Sequence, residues 1–275
     1  MDVRRIGVAL KLVDRRPEVD QLTAAVHDDE RWFGASASDQ AALEWALRLA
    51  EAWGASVLAV SASGPGGEAL LREALAAGAH EALRVHLDPG ADSEAVAAAL
   101  ADAMEGCAVV VCGDYSLDRG SGSVPAYLAA RLGAQQALGL VQLQPGDAGH
   151  VDAVRRLDGG RRERLAIEAP AVLSVEGATA RLRRAPLAAA LRARAQAVPV
   201  RVAPVAAPHA ARVTRPFRPR PRALAAPAGS SALERVVQLT EAHAVPAGGG
   251  DAVALDPAEA AARIVAALRQ WGYLE

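Results

Sequence analysis

Apolar residues run almost unbroken from Ile6 to Leu10 within RRIGVALKLV (4–13). Such a run predicts a first strand covered on both faces. A polar loop containing HDDERW (27–32) follows, and then SASDQAALEWALRLAEAWG (36–54) turns to helical spacing. Leu43, Leu47 and Ala50 share one face there, Ser38 or Asp39 can N-cap the helix, and Gly54 stops it. The alternation then repeats. ASVLAVSAS (55–63), EALRVHL (81–87) and CAVVVCG (107–113) read as strands. GGEALLREALAAGA (66–79), SEAVAAALADAM (93–104) and PAYLAARLG (125–133) read as helices. Strands alternating with helices predict parallel βαβ units and an α/β, doubly wound sheet.

Beyond Gly133 the texture changes. ALGLVQLQ (137–144), HVDAVRRLDGGRRERLAIE (150–168) and APAVLSVEG (169–177) read as strands that extend the sheet in antiparallel fashion, with LDGG as a hairpin turn. RLRRAPLAAALRARAQAV (181–198) is a basic Arg/Ala stretch. From 199 to 227 the chain is rich in Pro, Ala and Arg, including RPFRPRPR (215–222), and is expected to be extended. SSALERVVQLTEAHA (230–244) predicts a short helix. DPAEAAARIVAALRQWGYLE (256–275) predicts a last one, with Asp256 as N-cap and Pro257 at the first helical position. The expected organisation is an α/β nucleotide-binding domain over 1–198, a linker arm over 199–229, and a helical segment over 230–275 that packs on a partner subunit.

In a doubly wound sheet, ligands bind outside the carboxyl ends of the strands, near the point where strand order reverses. That puts three loops on one rim: the loop after Ala9, SASGPGG (61–67) and GDYSLDRGSGSV (113–124). The last sits between a strand and a helix, as a phosphate cradle would. Small residues let backbone N–H groups approach an anion, and the helix adds its positive end. A plain strand-to-helix turn with a serine cap fits the same residues. Gly64-Pro65 permits close approach of a ring or ribose, and a simple turn fits equally. Lys11, the only lysine, can meet a phosphate or stand solvated at a strand end.

Composition narrows the function classes. The chain has 275 residues with 52% apolar content, enough for a sizeable core, but only 3% aromatics. Net charge is −2, so no global field draws it to nucleic acid or to an anionic membrane surface. The N-terminal apolar run is too short for a signal peptide or a membrane span, which predicts a cytoplasmic protein. Cys107 and Cys112 read as buried thiols on opposite faces of a strand. The six histidines show no metal spacing, and there is no Walker A loop, no GxSxG elbow and no Cys/His signature. No metal and no catalytic residue is expected.

Read in order, these segments resemble the beta subunit of electron transfer flavoproteins. IGVALKLV looks like the family's first strand with its lysine. SASDQAALEWALRLAE is similar to its Asn-Pro-x-(Asp/Glu) helix. SASGP with EALLREALAAGAHEALRV resembles its Gly-Pro…Leu-Arg…Ala-Leu-Ala-x-Gly-Ala-Asp stretch. VVVCGDYSLDRGSGSV falls at its Gly-(Arg/Lys)-Gln-Ala-Ile-Asp loop, and LDGGRRERLAIEAPAVLSVE looks like its hairpin ending in Leu-Pro-Ala-Val. The similarity covers about 3–198. It implies an adenine nucleotide alpha hydrolase-like fold and a non-catalytic electron carrier, a heterodimer with an alpha subunit that holds the redox-active FAD. Electrons would pass from a flavin-linked dehydrogenase to an acceptor. The beta subunit would itself bind AMP or a second FAD. On this resemblance Arg119, Gly120, Ser121, Gly122, Ser123 and Val124 wrap the nucleotide phosphate, Ala9, Ser63 and Gly113 line the adenosine, and Ser36 stands where the family has asparagine. Leu187, in RRAPLAAALRARAQ, falls at the exposed leucine that anchors the dehydrogenase.

This chain departs from the pattern at Asp114 (Arg/Lys in the family), Tyr115 (Gln) and Ser123 (a later Gln), and Gly120 stands at an acidic position. With the Pro/Arg-rich arm, the whole looks like the actinobacterial branch associated with mycofactocin, a peptide-derived redox cofactor. A stand-alone adenine-nucleotide-binding module of the universal-stress type is the alternative, although its Gly-x-x-Gly-x(9)-Gly-(Ser/Thr) spacing is not met. An adenylating enzyme of the PP-loop type lacks its Ser-Gly-Gly-x-Asp-Ser loop.

Overall fold

The computed structural model describes residues 3–88, 90–203, 227, 229–240 and 254–274. The chain divides into two units, 1–217 and 218–275. The first unit begins with β1 (Arg5–Ala9) and a long excursion carrying four two-residue strands: β2 (Val13–Asp14), β3 (Glu18–Val19), β4 (Val26–His27) and β5 (Phe33–Gly34). Then come α1 (Ala37–Trp53), β6 (Ser56–Ala62), α2 (Gly67–Ala77), β7 (Glu81–His86), α3 (Ser93–Ala103), β8 (Val109–Gly113) and α4 (Val124–Leu132). The unit continues through β9 (Gln135–Pro145), β10 (His150–Arg156), β11 (Arg162–Glu168), β12 (Ala171–Val175), α5 (Leu187–Ala195) and β13 (Val200–Val202).

Nine strands form one sheet in the order β11-β10-β9-β12-β8-β1-β6-β7-β13. The pairings from β9 through β13 across the sheet centre are parallel. The β9-β10-β11 end is antiparallel, as the sequence pattern predicts, but the strand expected over 169–177 is not: β12 inserts between β9 and β8 and runs parallel to both. From β1 the chain first builds outward through β6 and β7, then crosses back to place β8 on the other side of β1. Strand order therefore reverses between β1 and β8, and a crevice opens at their carboxyl ends.

Period-two alternation sorts the strand residues between two cores. Ile6, Val8, Val109 and Val111 pack with Leu43, Leu47 and Leu49 of α1 and Leu70 and Leu71 of α2. Ala9, Val110 and Cys112 pack with Leu100 of α3 and Leu128 of α4. The two cysteines do not take opposite faces. β8 starts only at Val109, so Cys107 lies in the turn before it and packs against the same core as Cys112. Both thiols are free.

The α1 cap also differs from expectation. Neither Ser38 nor Asp39 caps the helix: both lie inside it, and the Ser36 Oγ accepts from the Asp39 N–H at 3.1 Å. Gly54 ends α1 in the left-handed region (φ 64°), where a glycine carries no side-chain penalty. The Pro-rich stretch contributes to the sheet at its beginning: Val200–Val202 pair in parallel with β7, and the Arg84 N–H donates to the Pro199 carbonyl at 2.9 Å. RPFRPRPR lies outside the described residues.

In the second unit α6 (Ala232–Thr240) exposes Leu233, Val236 and Leu239. Residues 241–244 of the expected helix lie outside the described ones. In α7 (Pro257–Gln270) the Asp256 carboxylate accepts from the Ala258 and Glu259 N–H groups, and Pro257 opens the first turn. Among the described residues, no helix is long and apolar enough to cross a membrane.

Candidate functional site

The crevice between β1 and β8 is a cavity of about 550 Å³. Its walls are the loop after β1, the β6-α2 loop, the β7-α3 loop and the β8-α4 loop. The first three short strands of the excursion add Val13, Val19 and Val26, and β5 adds Phe33. A second cleft of about 350 Å³ adjoins it, lined by Asp92, Ser93, Glu94, Arg119, Ser121, Ser123 and Tyr127. Ser93, Arg119, Ser121 and Ser123 line both.

Three close approaches fix the loops. A Cβ on Gly113 would stand 2.9 Å from the Ser38 Oγ and 3.1 Å from the Asp39 nitrogen, so only glycine lets the end of β8 rest on the start of α1. Ser38 then donates to the Tyr115 carbonyl at 3.1 Å. Gly122 has φ 60°, and a Cβ there would stand 2.7 Å from the Asp114 carbonyl oxygen. Ser63 is pinned from both sides: its N–H donates to the Val85 carbonyl, and its own carbonyl accepts from Arg84 Nη1 at 3.1 Å. The loop before α4 is open. Ser123 makes no side-chain cap, and its Oγ lies 3.0 Å from the Ser121 Oγ.

The charges on this rim are tied to one another. Lys11 Nζ reaches both carboxylate oxygens of Asp118 at 2.5 and 2.6 Å. Burial pushes Asp118 up, but Lys11 and Ser116 outweigh it and hold the group below its usual range. Arg119 Nη1 donates to the Ala91 carbonyl at 2.5 Å. Asp39, only 6% exposed, is pushed up to about 6 by burial, against the hydrogen bonds from Ser36 and the pull of Lys11. Burial likewise raises Asp114, against the Tyr115 N–H. Cys112 behind Asp39 is pushed up to about 12 by burial and remains a thiol.

Of the residues singled out from sequence, Ala9, Ser63, Gly113, Arg119, Ser121, Gly122, Ser123 and Val124 line the cavity together. Gly120 stands in the turn just outside the lining, with its N–H on the Ser116 carbonyl. Ser36 lies beneath the floor, buried to 2%, where it caps α1 and donates to the Asp39 carboxylate at 2.9 Å. Leu187 starts α5 on a separate surface, 75% exposed, and α5 packs against α2. Sequence reasoning missed the apolar wall from the excursion; it named Asp114, and read Asp14 and Asp118 as ordinary loop caps, without bringing the aspartates together around the cleft. Asp14, Asp88 and Asp114 each fall at or just after the end of a strand, and that position is the signal that could have found them.

The chain was compared with known proteins. No curated protein gives a significant match. The family model described as the electron transfer flavoprotein domain matches residues 26–208, about two-thirds of the chain and the whole span from α1 to β13. With the nine-stranded sheet and its crevice at the β1/β8 reversal, this match places the chain in the electron transfer flavoprotein domain family.

Proposed function

We propose that this chain is the beta-type subunit of a heterodimeric electron transfer flavoprotein and that its β1/β8 cleft holds the adenine part of AMP or of a second FAD. The family role is electron transfer rather than catalysis. The observation that supports the beta-type reading is that eight residues assigned to the nucleotide by the resemblance line one cavity at the strand-order reversal. The backbone around it suits a nucleotide. Gly120 and Gly122 take positive φ, Gly113 allows close approach, and α4 opens without a side-chain cap.

In this reading Ser121, Ser123 and the first turn of α4 hold the phosphate, and Ala9, Ser63 and Gly113 surround the adenosine. The redox chemistry comes from the FAD of the alpha partner. This chain orients that partner and keeps its own nucleotide in place. Leu187 is the anchor for a flavin-linked dehydrogenase, supported by its exposure at the start of a helix fastened at both ends. Before α5, Arg183 bridges Glu44 and Glu51; after it, Arg72 Nε donates to the Gln196 carbonyl at 3.1 Å. The exposed Leu233, Val236 and Leu239 give α6 an apolar stripe suited to packing on the alpha subunit. The Pro/Arg-rich arm and the replaced nucleotide-loop residues support the mycofactocin-associated branch.

Co-expression with the flavoprotein alpha subunit of the same genome tests the reading. A one-to-one complex that releases FAD on denaturation is expected, with an adenine nucleotide displaceable from the cleft. A chain that stays monomeric and recruits no flavoprotein refutes it.

A further inference from the structure

The charged lining of the cleft runs against its backbone. Among the described residues, six aspartates line the cavity, and Lys11 and Arg119 are its only cationic ones. Lys11 is held by both oxygens of Asp118, and Arg119 directs Nη1 to the Ala91 carbonyl. The adjoining cleft repeats the pattern. Its Glu94 is paired with Arg131 at 3.0 Å, Asp92 caps α3, and Arg119 is again the only cation among the described lining residues. What favours an anion here is the N-terminal end of α4, worth about half a charge. Against it stands a formal surplus of carboxylates along the walls of the recess. The same carboxylates are acceptors without donors of their own. They suit the hydroxyls of a ribose and the amino group of adenine.

We infer that the cleft discriminates against phosphoryl charge: it holds an adenine ligand by its nucleoside end and binds adenosine more tightly than AMP, and AMP more tightly than ATP. The inference rests on the reading of this cleft as an adenine site and goes beyond it by naming the end of the ligand that carries the affinity.

The test is calorimetric titration of the full chain, alone and in complex with its flavoprotein partner, with adenosine, AMP and ATP. At low ionic strength adenosine is expected to bind about tenfold or more tighter than AMP. The gap should shrink as salt shortens the screening length from about 30 Å at 0.01 M toward 3 Å at 1 M. Asp28→Asn and Asp88→Asn change exposed lining residues and leave the core untouched. Each should tighten AMP severalfold relative to adenosine and so lower the adenosine-to-AMP ratio. AMP binding tighter than adenosine, or an adenosine-to-AMP ratio indifferent to both variants, overturns the inference and leaves the adenine site standing. No binding by any of the three overturns the inference and the adenine site together.

Discussion

Asp39→Asn isolates the carboxyl on the floor of the cleft. Burial moves this group from its ordinary 3.8 to about 6 in the folded chain. The folded state therefore holds the proton more tightly than the unfolded one. The stabilisation is fully present below about pH 4, where both states are protonated, and is lost as pH rises through 6. The whole shift of about two units corresponds to about 3 kcal/mol at roughly 1.4 kcal/mol per unit. Between pH 5 and 8 a little under half of this is lost, about 1 kcal/mol, and the remainder falls below pH 5. Asparagine does not titrate, and its side-chain oxygen can still accept from Ser36. The difference in unfolding free energy, wild type minus variant, removes the contribution of every other titrating group. Urea denaturation of both proteins at pH 5 and pH 8 should show that difference moving by about 1 kcal/mol in favour of the variant. A difference that is the same at both pH values refutes the assignment of a protonated, buried carboxyl to this position.

Gly122→Ala should cost about 1–2 kcal/mol through the left-handed backbone alone, and more through the approach to the Asp114 carbonyl; thermal unfolding with and without adenosine measures both stability and cleft integrity. Leu187→Ala should slow reduction by the partner dehydrogenase by about tenfold, as loss of an anchoring side chain does, and leave the melting temperature unchanged because the residue is exposed. Arg183→Ala should destabilise by about 2 kcal/mol, because the buried Glu44 carboxylate loses the guanidinium and keeps only Arg48 at 2.8 Å and the backbone N–H of residue 183 at 3.1 Å; chemical denaturation reads the loss, and Arg183→Lys should restore part of it.

The βαβ ladder was legible because each strand is a short apolar run and each helix repeats its apolar face every three to four residues. The cleft was legible for a related reason: in such a sheet the loops after β1, β6 and β8 must share one rim. The excursion from Leu10 to Ala35 was not legible. Its short strands are two residues each, and the β2-β5 pair joins Val13 to Gly34 across twenty residues with no periodic pattern to announce it. The α1 cap was ambiguous because Ser36, Ser38 and Asp39 all carry a suitable oxygen within one turn. The path of the chain, and not residue type, gives the role to Ser36. β13 was hidden in Pro/Arg/Ala composition, since its strand character comes only from the open edge of β7. Every aspartate of the cleft was visible as a letter, but their convergence is a property of the topology.

The ion pair between Lys11 and Asp118 has a practical consequence. Lys11 is the single ε-amine in 275 residues, and it stands on the wall of the cleft with its side chain 38% exposed. An amine-reactive reagent therefore meets one lysine side chain in the whole protein, and that one reports from the rim. Acylation there would break the bond to Asp118 and leave a further carboxylate uncompensated. The extent of labelling at Lys11, read by mass mapping of its peptide and so separated from any α-amine, becomes a direct gauge of whether the cleft is filled.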